Sequence, residues 1–131
     1  MAKGIEIRAA HFPGRPPIDA YGAGGFRFAD MSHRGSILCL PSGVHGWNAR
    51  AFEEVTHESL ARVFDEAEDI EVLLIGMGPD FRRPPKELQA ALREKGIVTD
   101  AMSTGSAVRT YNVLLAEDRA VAAALIAVDE P

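Results

Sequence analysis

The stretch that most constrains the fold is a short apolar run followed by a glycine turn. Val72–Ile75 is continuously apolar, and Gly76-Met77-Gly78-Pro79 follows it directly. Periodicity alone does not separate a strand buried on both faces from a turn of buried helix, but the shortness of the run and the glycine–proline stop favour the strand. Pro84 and Pro85 then preset φ for the first turn of a helix. A strand, a glycine turn and a helix in this order indicate an α/β protein, in which ligands commonly dock at such turns.

Length and composition predict a single domain that spans residues 1–131. The chain has 131 residues, of which 47% are hydrophobic and 25% are charged, so its core needs neither a disulfide nor a metal ion. We expect residues 1–17 to form an extended N-terminal segment, because the prolines at 13, 16 and 17 disfavour a helix there. The net charge of −5 argues against nucleic acid as the partner.

The cysteine content and the absence of long apolar segments predict the cellular compartment of the protein. Cys39 is the only cysteine, which excludes an internal disulfide and is compatible with a reducing compartment. The N-terminus shows no apolar signal segment, and no run approaches the roughly 20 apolar residues that span a bilayer. The sequence therefore predicts a cytoplasmic protein with no membrane span.

The first half of the chain predicts a small antiparallel β layer. Ile5 and Ile7 alternate with a polar residue and suit a short edge strand, while the glycines of Tyr21–Gly25 indicate a loop. A turn is expected at Met31–Gly35. Strands are expected around that turn at Phe26–Phe28, Ser36–Leu40 and Val44–Asn48.

Helices and strands alternate in the middle of the chain. Thr56 is the expected N-cap of a helix that buries Leu60, Val63, Phe64 and Ala67. A second helix, Lys86–Gly96, ends on a glycine suited to the left-handed conformation, and a strand at Ile97–Met102 follows it. Strand, helix and strand of this length predict a right-handed parallel crossover.

The last part of the chain contains one clear helix and one ambiguous run. Ser103–Ser106 is expected to cap a helix that continues to about Ala116. The run Ala120–Val128 is continuously apolar and fits either an alanine-rich helix or a final central strand. We favour the strand, because a short turn precedes it and Leu125–Val128 is rich in residues that favour strands.

Several motifs in this half of the chain resemble one family. The most specific is Arg109-Thr110-Tyr111-Asn112-Val113-Leu114. The others are Leu73–Gly78, Pro84-Pro85, Gly96-Ile97-Val98 and Met102-Ser103-Thr104, with Gly35-Ser36, Pro41 and Trp47 upstream. Together they resemble the MTH-like domain-of-unknown-function family over roughly residues 18–128.

The resemblance implies a three-layer α/β fold. Its parts are a mixed central β-sheet with helices on both faces and a small N-terminal antiparallel β layer. It implies no established catalytic activity, and eukaryotic members of the family look like assembly factors for a respiratory membrane complex. The function implied here is a non-catalytic binding or assembly module with a protein partner. An exposed aromatic patch that uses Tyr21, Trp47 or Phe81 would suit such a module.

Two loops are expected at one edge of the sheet, past the carboxyl ends of neighbouring strands. These are Gly76–Arg83 and Met102–Arg109, and open α/β sheets place ligands there. The alternative function is a small-anion-binding protein or an uncharacterised enzyme with its site at these loops, because a helix N-terminus, hydroxyl groups and arginines favour negative charge. The hypothetical ligand-binding residues are Gly76, Gly78, Arg82, Arg83, Ser103, Thr104, Ser106 and Arg109. The competing interpretation is that Ser103 or Thr104 only caps the helix.

Familiar catalytic patterns are missing from the sequence. His11, His33, His45 and His57 are scattered, and no two of them form a metal-ligand motif. Cys39 has no partner at motif spacing and is expected to pack as a small hydrophobic residue. We therefore predict no catalytic residues, no metal and no cofactor, and the oligomeric state stays open.

Overall fold

The computed structural model describes residues 11–131, in which the strands belong to two separate sheets. The strands are β1 (His11–Phe12), β2 (Ala20–Gly22), β3 (Gly25–Phe28), β4 (Met31–Arg34), β5 (Ser36–Leu40), β6 (Gly43–Trp47), β7 (Val72–Gly76), β8 (Val98–Met102) and β9 (Val121–Leu125). The α-helices are α1 (Ala61–Asp65), α2 (Lys86–Glu94) and α3 (Thr104–Ala116), with single turns of 3-10 helix at Phe52–Glu54 and Ala67–Asp69. The strand predicted at Ile5 and Ile7 lies outside the described residues.

The central sheet is mixed and has the strand order β1-β6-β5-β9-β7-β8. Strand β7 pairs in parallel with both β8 and β9. Strands β9, β5, β6 and β1 pair in antiparallel fashion. Strand β9 has a neighbour on each side, and all five of its residues are buried. The final apolar run is therefore a central strand, as predicted.

Two hydrophobic clusters cover the two faces of this sheet. Because side chains alternate along a strand, Ala122 and Ala124 of β9 belong to the cluster that includes residues of α1 and α2. Ala123 and Leu125 belong to the cluster that includes residues of α3 and of the small sheet. The predicted three-layer α/β fold, with helices on both faces and a small antiparallel β layer, is confirmed.

The small sheet differs from its prediction. Met31–Gly35 was expected to be a turn, but Met31–Arg34 forms β4, and the order of the sheet is β2-β3-β4. The turn lies earlier, at Ala29 and Asp30, whose φ values are 51° and 61°. The loop predicted at Tyr21–Gly25 contains the end of β2 and the start of β3. Most of β4 is exposed, so its sequence shows no apolar alternation to identify it.

The first predicted helix is shorter than expected, and Thr56 is not its N-cap. The helix begins at Ala61, and Thr56 instead closes the preceding turn with Ser59. The Ser59 N–H donates to Thr56 Oγ1 at 3.1 Å, and the Thr56 N–H donates to Ser59 Oγ at 3.0 Å. Leu60 and Val63 are buried as predicted. The predicted end of the second helix is confirmed by Gly96, whose φ is +86°.

Candidate functional site

The carboxyl ends of β7 and β8 meet at one edge, and hydrogen bonds join the two loops predicted there. The Met77 N–H donates to Met102 O at 2.8 Å. The Thr104 N–H donates to Gly78 O at 2.8 Å, and the Gly78 N–H donates to Thr104 Oγ1 at 3.0 Å. The predicted juxtaposition of the loops at residues 76–83 and 102–109 is confirmed.

Thr104 and Gly76 form the buried centre of this edge. The Thr104 hydroxyl accepts the bond from Gly78 and donates to Ile126 O at 2.7 Å, and the residue has no exposed surface. It thus ties the ends of β7 and β9 to the start of α3. A Cβ at Gly76 would lie 2.9 Å from Thr104 Cα, so the glycine permits this close approach. Contacts within the protein therefore explain why a threonine and a glycine occur at these two positions.

Ser103 caps α3, as the sequence predicts. Its Oγ accepts a bond from the Ser106 N–H at 3.3 Å, and its hydroxyl donates to Ser106 Oγ at 3.2 Å. The Arg109 guanidinium also donates to Ser106 Oγ, at 3.3 Å. The three side chains therefore form one hydrogen-bonded chain along the first turns of the helix.

A cleft of about 460 Å³ opens beside this chain. Gly78, Ser103 and Arg109 line it, and so do Tyr21 and Glu130. Tyr21 lies over Gly105, where any Cβ would collide with its hydroxyl. The cleft contains both an arginine and a carboxylate, so its charge is mixed.

The other two predicted arginines lie apart from Arg109. Arg82 lines a separate depression of about 210 Å³, which shares only Gly78 and Pro79 with the cleft. Its guanidinium carbon is 5.0 Å from the centre of the Phe52 ring, a cation–π distance. Arg83 is exposed and lines neither depression. The structure therefore does not bring the three predicted arginines together.

Asn112 has a structural role that the sequence did not reveal. Its Oδ1 accepts a bond from the Ile18 N–H at 2.9 Å, and its Nδ2 donates to Ile18 O at 2.9 Å. The amide thus holds the chain entering β2 against α3. The neighbouring Tyr111 is buried in the core. Asn112 and Tyr111, which belong to the most specific family motif, therefore stabilise the fold. The presence of Asn112 in that motif was the only sign of its role in the sequence.

Three titratable groups have strongly shifted pKa values, and burial raises that of the Tyr111 hydroxyl. Burial raises the pKa of the Cys39 thiol to about 12, so it is protonated near neutral pH and packs as a hydrophobic residue, as predicted. Burial, followed by the positive charge of Arg62, lowers the pKa of His45 to about 4.

Within residues 11–131 no group of three His, Cys, Asp or Glu side chains is arranged to hold a metal ion. The same part of the chain contains no helix long and apolar enough to cross a membrane.

Comparison with known sequences identifies relatives over nearly the whole chain. Residues 18–126 match the model of a family described as a protein of unknown function, DUF498/DUF598. An uncharacterized protein of Rhodobacter capsulatus is 41% identical over 119 residues, which are 91% of this chain and 90% of that protein. The mouse NADH dehydrogenase (ubiquinone) 1 alpha subcomplex assembly factor 3 is 30% identical over 122 residues. That match covers 93% of this chain and 66% of the assembly factor, so the chain spans about two thirds of the length of that relative.

Solved structures share the fold. A Bartonella henselae protein described as an outer membrane protein has a TM-score of 0.88 and 63% identity, over 91% of this chain and 100% of that chain. A Bordetella pertussis protein described as an Mth938-like domain has a TM-score of 0.77 and 27% identity, over 88% of each chain.

Proposed function

This chain belongs to the DUF498/DUF598 family, and we propose that it is a non-catalytic binding module that helps to assemble NADH dehydrogenase. One observation carries the proposal. The similarity to the mouse assembly factor extends over 93% of this chain, so nearly the whole chain has a counterpart in a protein named for assembly. The assembly factor is longer than this chain, and the proposal concerns the shared part.

The edge at which β7 and β8 end favours a protein that binds a partner through an exposed surface. It gives less support to a protein that carries out a reaction in a cleft. The hydroxyls of Ser103, Thr104 and Ser106 bond to groups of the protein itself. Phe81, by contrast, is 56% exposed in the loop that follows β7, and a large exposed apolar side chain suits a protein contact. Tyr21 is half-buried, and Trp47 is only 6% exposed with its Nε1–H donating to Ser59 O at 2.8 Å. The predicted use of Trp47 in an exposed patch is therefore wrong.

Deletion of the gene in its native host tests the assembly role. We expect isolated membranes to oxidise NADH several times more slowly and native gels to show less assembled NADH dehydrogenase. Succinate oxidation by the same membranes is the control and should not change. Normal amounts of assembled NADH dehydrogenase in the deletion strain would contradict the proposal.

We propose a cellular compartment for the protein together with its assembly role. We expect the tagged chain in the cytoplasmic fraction, where it would meet enzyme subunits before they assemble. The Bartonella henselae relative is described as an outer membrane protein, so the outer-membrane fraction must be probed in the same experiment. Recovery of the chain only in that fraction would contradict a role in this assembly.

A small anion is the alternative ligand, with fewer binding residues than the sequence predicts. Ser103 and Arg109 line one cleft and are linked through Ser106, which favours an anion at the start of α3. Glu130 lines the same cleft and opposes it. This alternative expects phosphate to raise the melting temperature of the wild type and to have no effect on Arg109→Ala. Equal responses of the two proteins would exclude this site, and Arg83→Ala is the matched control.

A further inference from the structure

Strand β8 is an open edge of the central sheet. Within residues 11–131 it pairs only with β7. The Val98 N–H donates to Glu71 O at 2.9 Å, and Met102 O accepts the bond from Met77. Because backbone groups alternate in direction along a strand, the N–H and C=O groups of Thr99 and Ala101 point away from the sheet. A second strand could therefore pair with β8 without displacing any described residue.

The side chains along this edge form an apolar–acidic–apolar row. Val98, Asp100 and Met102 are opposite Val72, Leu74 and Gly76 of β7, so they lie on the face that α3 covers. Val98 is 64% exposed, and Asp100 is exposed between it and the half-buried Met102.

Helix α3 extends this row with a further apolar side chain. The Thr110 hydroxyl lies 3.8 Å from Met102 Sδ, which places Thr110 on the side of the helix that faces β8. Val113 follows about one turn later on the same side, and it is 57% exposed. The open edge is thus bordered by exposed valines on the strand and on the helix.

We propose that a partner protein docks on β8 by adding an extended strand in which a basic side chain lies between two apolar ones. This inference rests on the proposed function and names the surface and the kind of partner. In an antiparallel pairing, Thr99 and Ala101 exchange the hydrogen bonds, and Asp100 faces its counterpart in a non-hydrogen-bonded pair about 4.5 Å away between Cα atoms. A lysine or arginine at that position neutralises Asp100, while its neighbours two residues away pack on Val98 and Met102.

The β8 strand of a second copy of this chain does not fit the same edge. Antiparallel pairing centred on Asp100 would place two carboxylates opposite each other, which destabilises a strand pair. A shift of two residues would place the carboxylate against Val98 or Met102, where it has no counter-charge. Asp100 thus disfavours the pairing of β8 with a second β8 and favours a basic partner strand.

Two synthetic peptides test the proposal without knowledge of the natural partner. One is the capped peptide Thr-Val-Thr-Lys-Thr-Val-Thr, and the other has glutamate in place of lysine. Titration into the isotope-labelled full chain, followed by amide chemical shifts, should show the lysine peptide shifting residues 97–103. The glutamate peptide should bind about fivefold more weakly.

Charge reversal in the protein provides the decisive comparison. Asp100→Lys should prefer the glutamate peptide, and Asp100→Asn, the milder variant, should lose the preference. Asp65→Lys, at an exposed position on α1, is the matched control and should keep the preference for lysine. Equal binding of both peptides, shifts away from β8, no binding, or a wild-type dimer that pairs through β8 would each overturn the proposal.

The complementation experiment separates this inference from the function on which it rests. Asp100→Lys should restore less assembled NADH dehydrogenase to the deletion strain than the wild type does. If the deletion lowers the enzyme and Asp100→Lys restores it fully, the assembly role stands and the docking edge is wrong. If the deletion has no effect, the assembly role itself fails.

Discussion

The imidazole of His45 belongs to a hydrogen-bonded group at the turn between β5 and β6. The Ser42 hydroxyl donates to Glu66 Oε2 at 2.6 Å, and the Ser42 N–H donates to Glu66 Oε1 at 2.9 Å. The His45 Nε2 lies 2.8 Å from Ser42 Oγ, and since the serine proton is used by Glu66, the ring must donate this bond. The His11 ring stacks on His45 at 4.3 Å. The group therefore needs a proton on His45 Nε2, and burial, which lowers the pKa of His45 to about 4, favours the neutral ring.

This arrangement predicts a loss of stability in mild acid. Burial, Arg62 and His11 lower the pKa of His45 to about 4, against the opposing effect of Glu66. An unfolded histidine titrates near 6.5, so the unfolded chain binds this proton first. The free energy of unfolding should therefore fall as the pH drops from about 6.5 towards 4. Urea unfolding at several pH values measures it.

Two variants separate His45 from the other titrating groups. His45→Gln should reduce the slope between pH 6.5 and 4, because glutamine does not titrate there, while His33, whose pKa is also lowered by burial, keeps part of it. His57→Gln removes an exposed ring that stacks on Phe64, and it should keep the wild-type slope. An unchanged slope in His45→Gln would show that other groups cause the effect.

At the scale of elements, one hydroxyl joins the ends of two strands and the start of a helix. Thr104→Val keeps the shape of the side chain but leaves the Gly78 N–H and the Ile126 C=O without this partner. Each buried unsatisfied group costs about 1–3 kcal/mol, so we expect the two groups to lower the free energy of unfolding by roughly 2–6 kcal/mol. Denaturant unfolding provides the measurement. Thr104→Ser keeps the hydroxyl and should cost clearly less, and equal losses in the two variants would contradict the role of the hydrogen bonds.

The same edge shows which parts of the candidate site were accessible to sequence reasoning. The meeting of the two loops followed from the pattern strand, glycine turn, helix, strand, because parallel strands end at a common edge. The cap at Ser103 followed from its position before an apolar helix. The role of Thr104 did not follow, since its acceptor Ile126 is 22 residues away in the chain. The separation of Arg82 from Arg109 was equally hidden, because Arg82 packs on the ring of Phe52, which is distant in the sequence.

At the scale of the whole molecule, the mixed sheet is the feature that organises both cores. Strand β9 pairs in parallel with β7 and in antiparallel fashion with β5, so it joins the α/β half of the chain to the β hairpin. Its alternate residues supply one core on each face. The family resemblance predicted this architecture, and the match of residues 18–126 to the family model confirms the kinship.

Local signals were enough to locate several elements from the sequence. A short apolar run, capping residues and glycines specified β7, α3 and the end of α2, because each of these depends on neighbours within a few residues. The run that forms β9 left both helix and strand open, and its pairing with β5 and β7 settled it. Only the tertiary structure decided that β4 is a strand, that Trp47 is buried and that β8 has an open edge. These features depend on which distant segments pack together. A local pattern therefore carries no information about them.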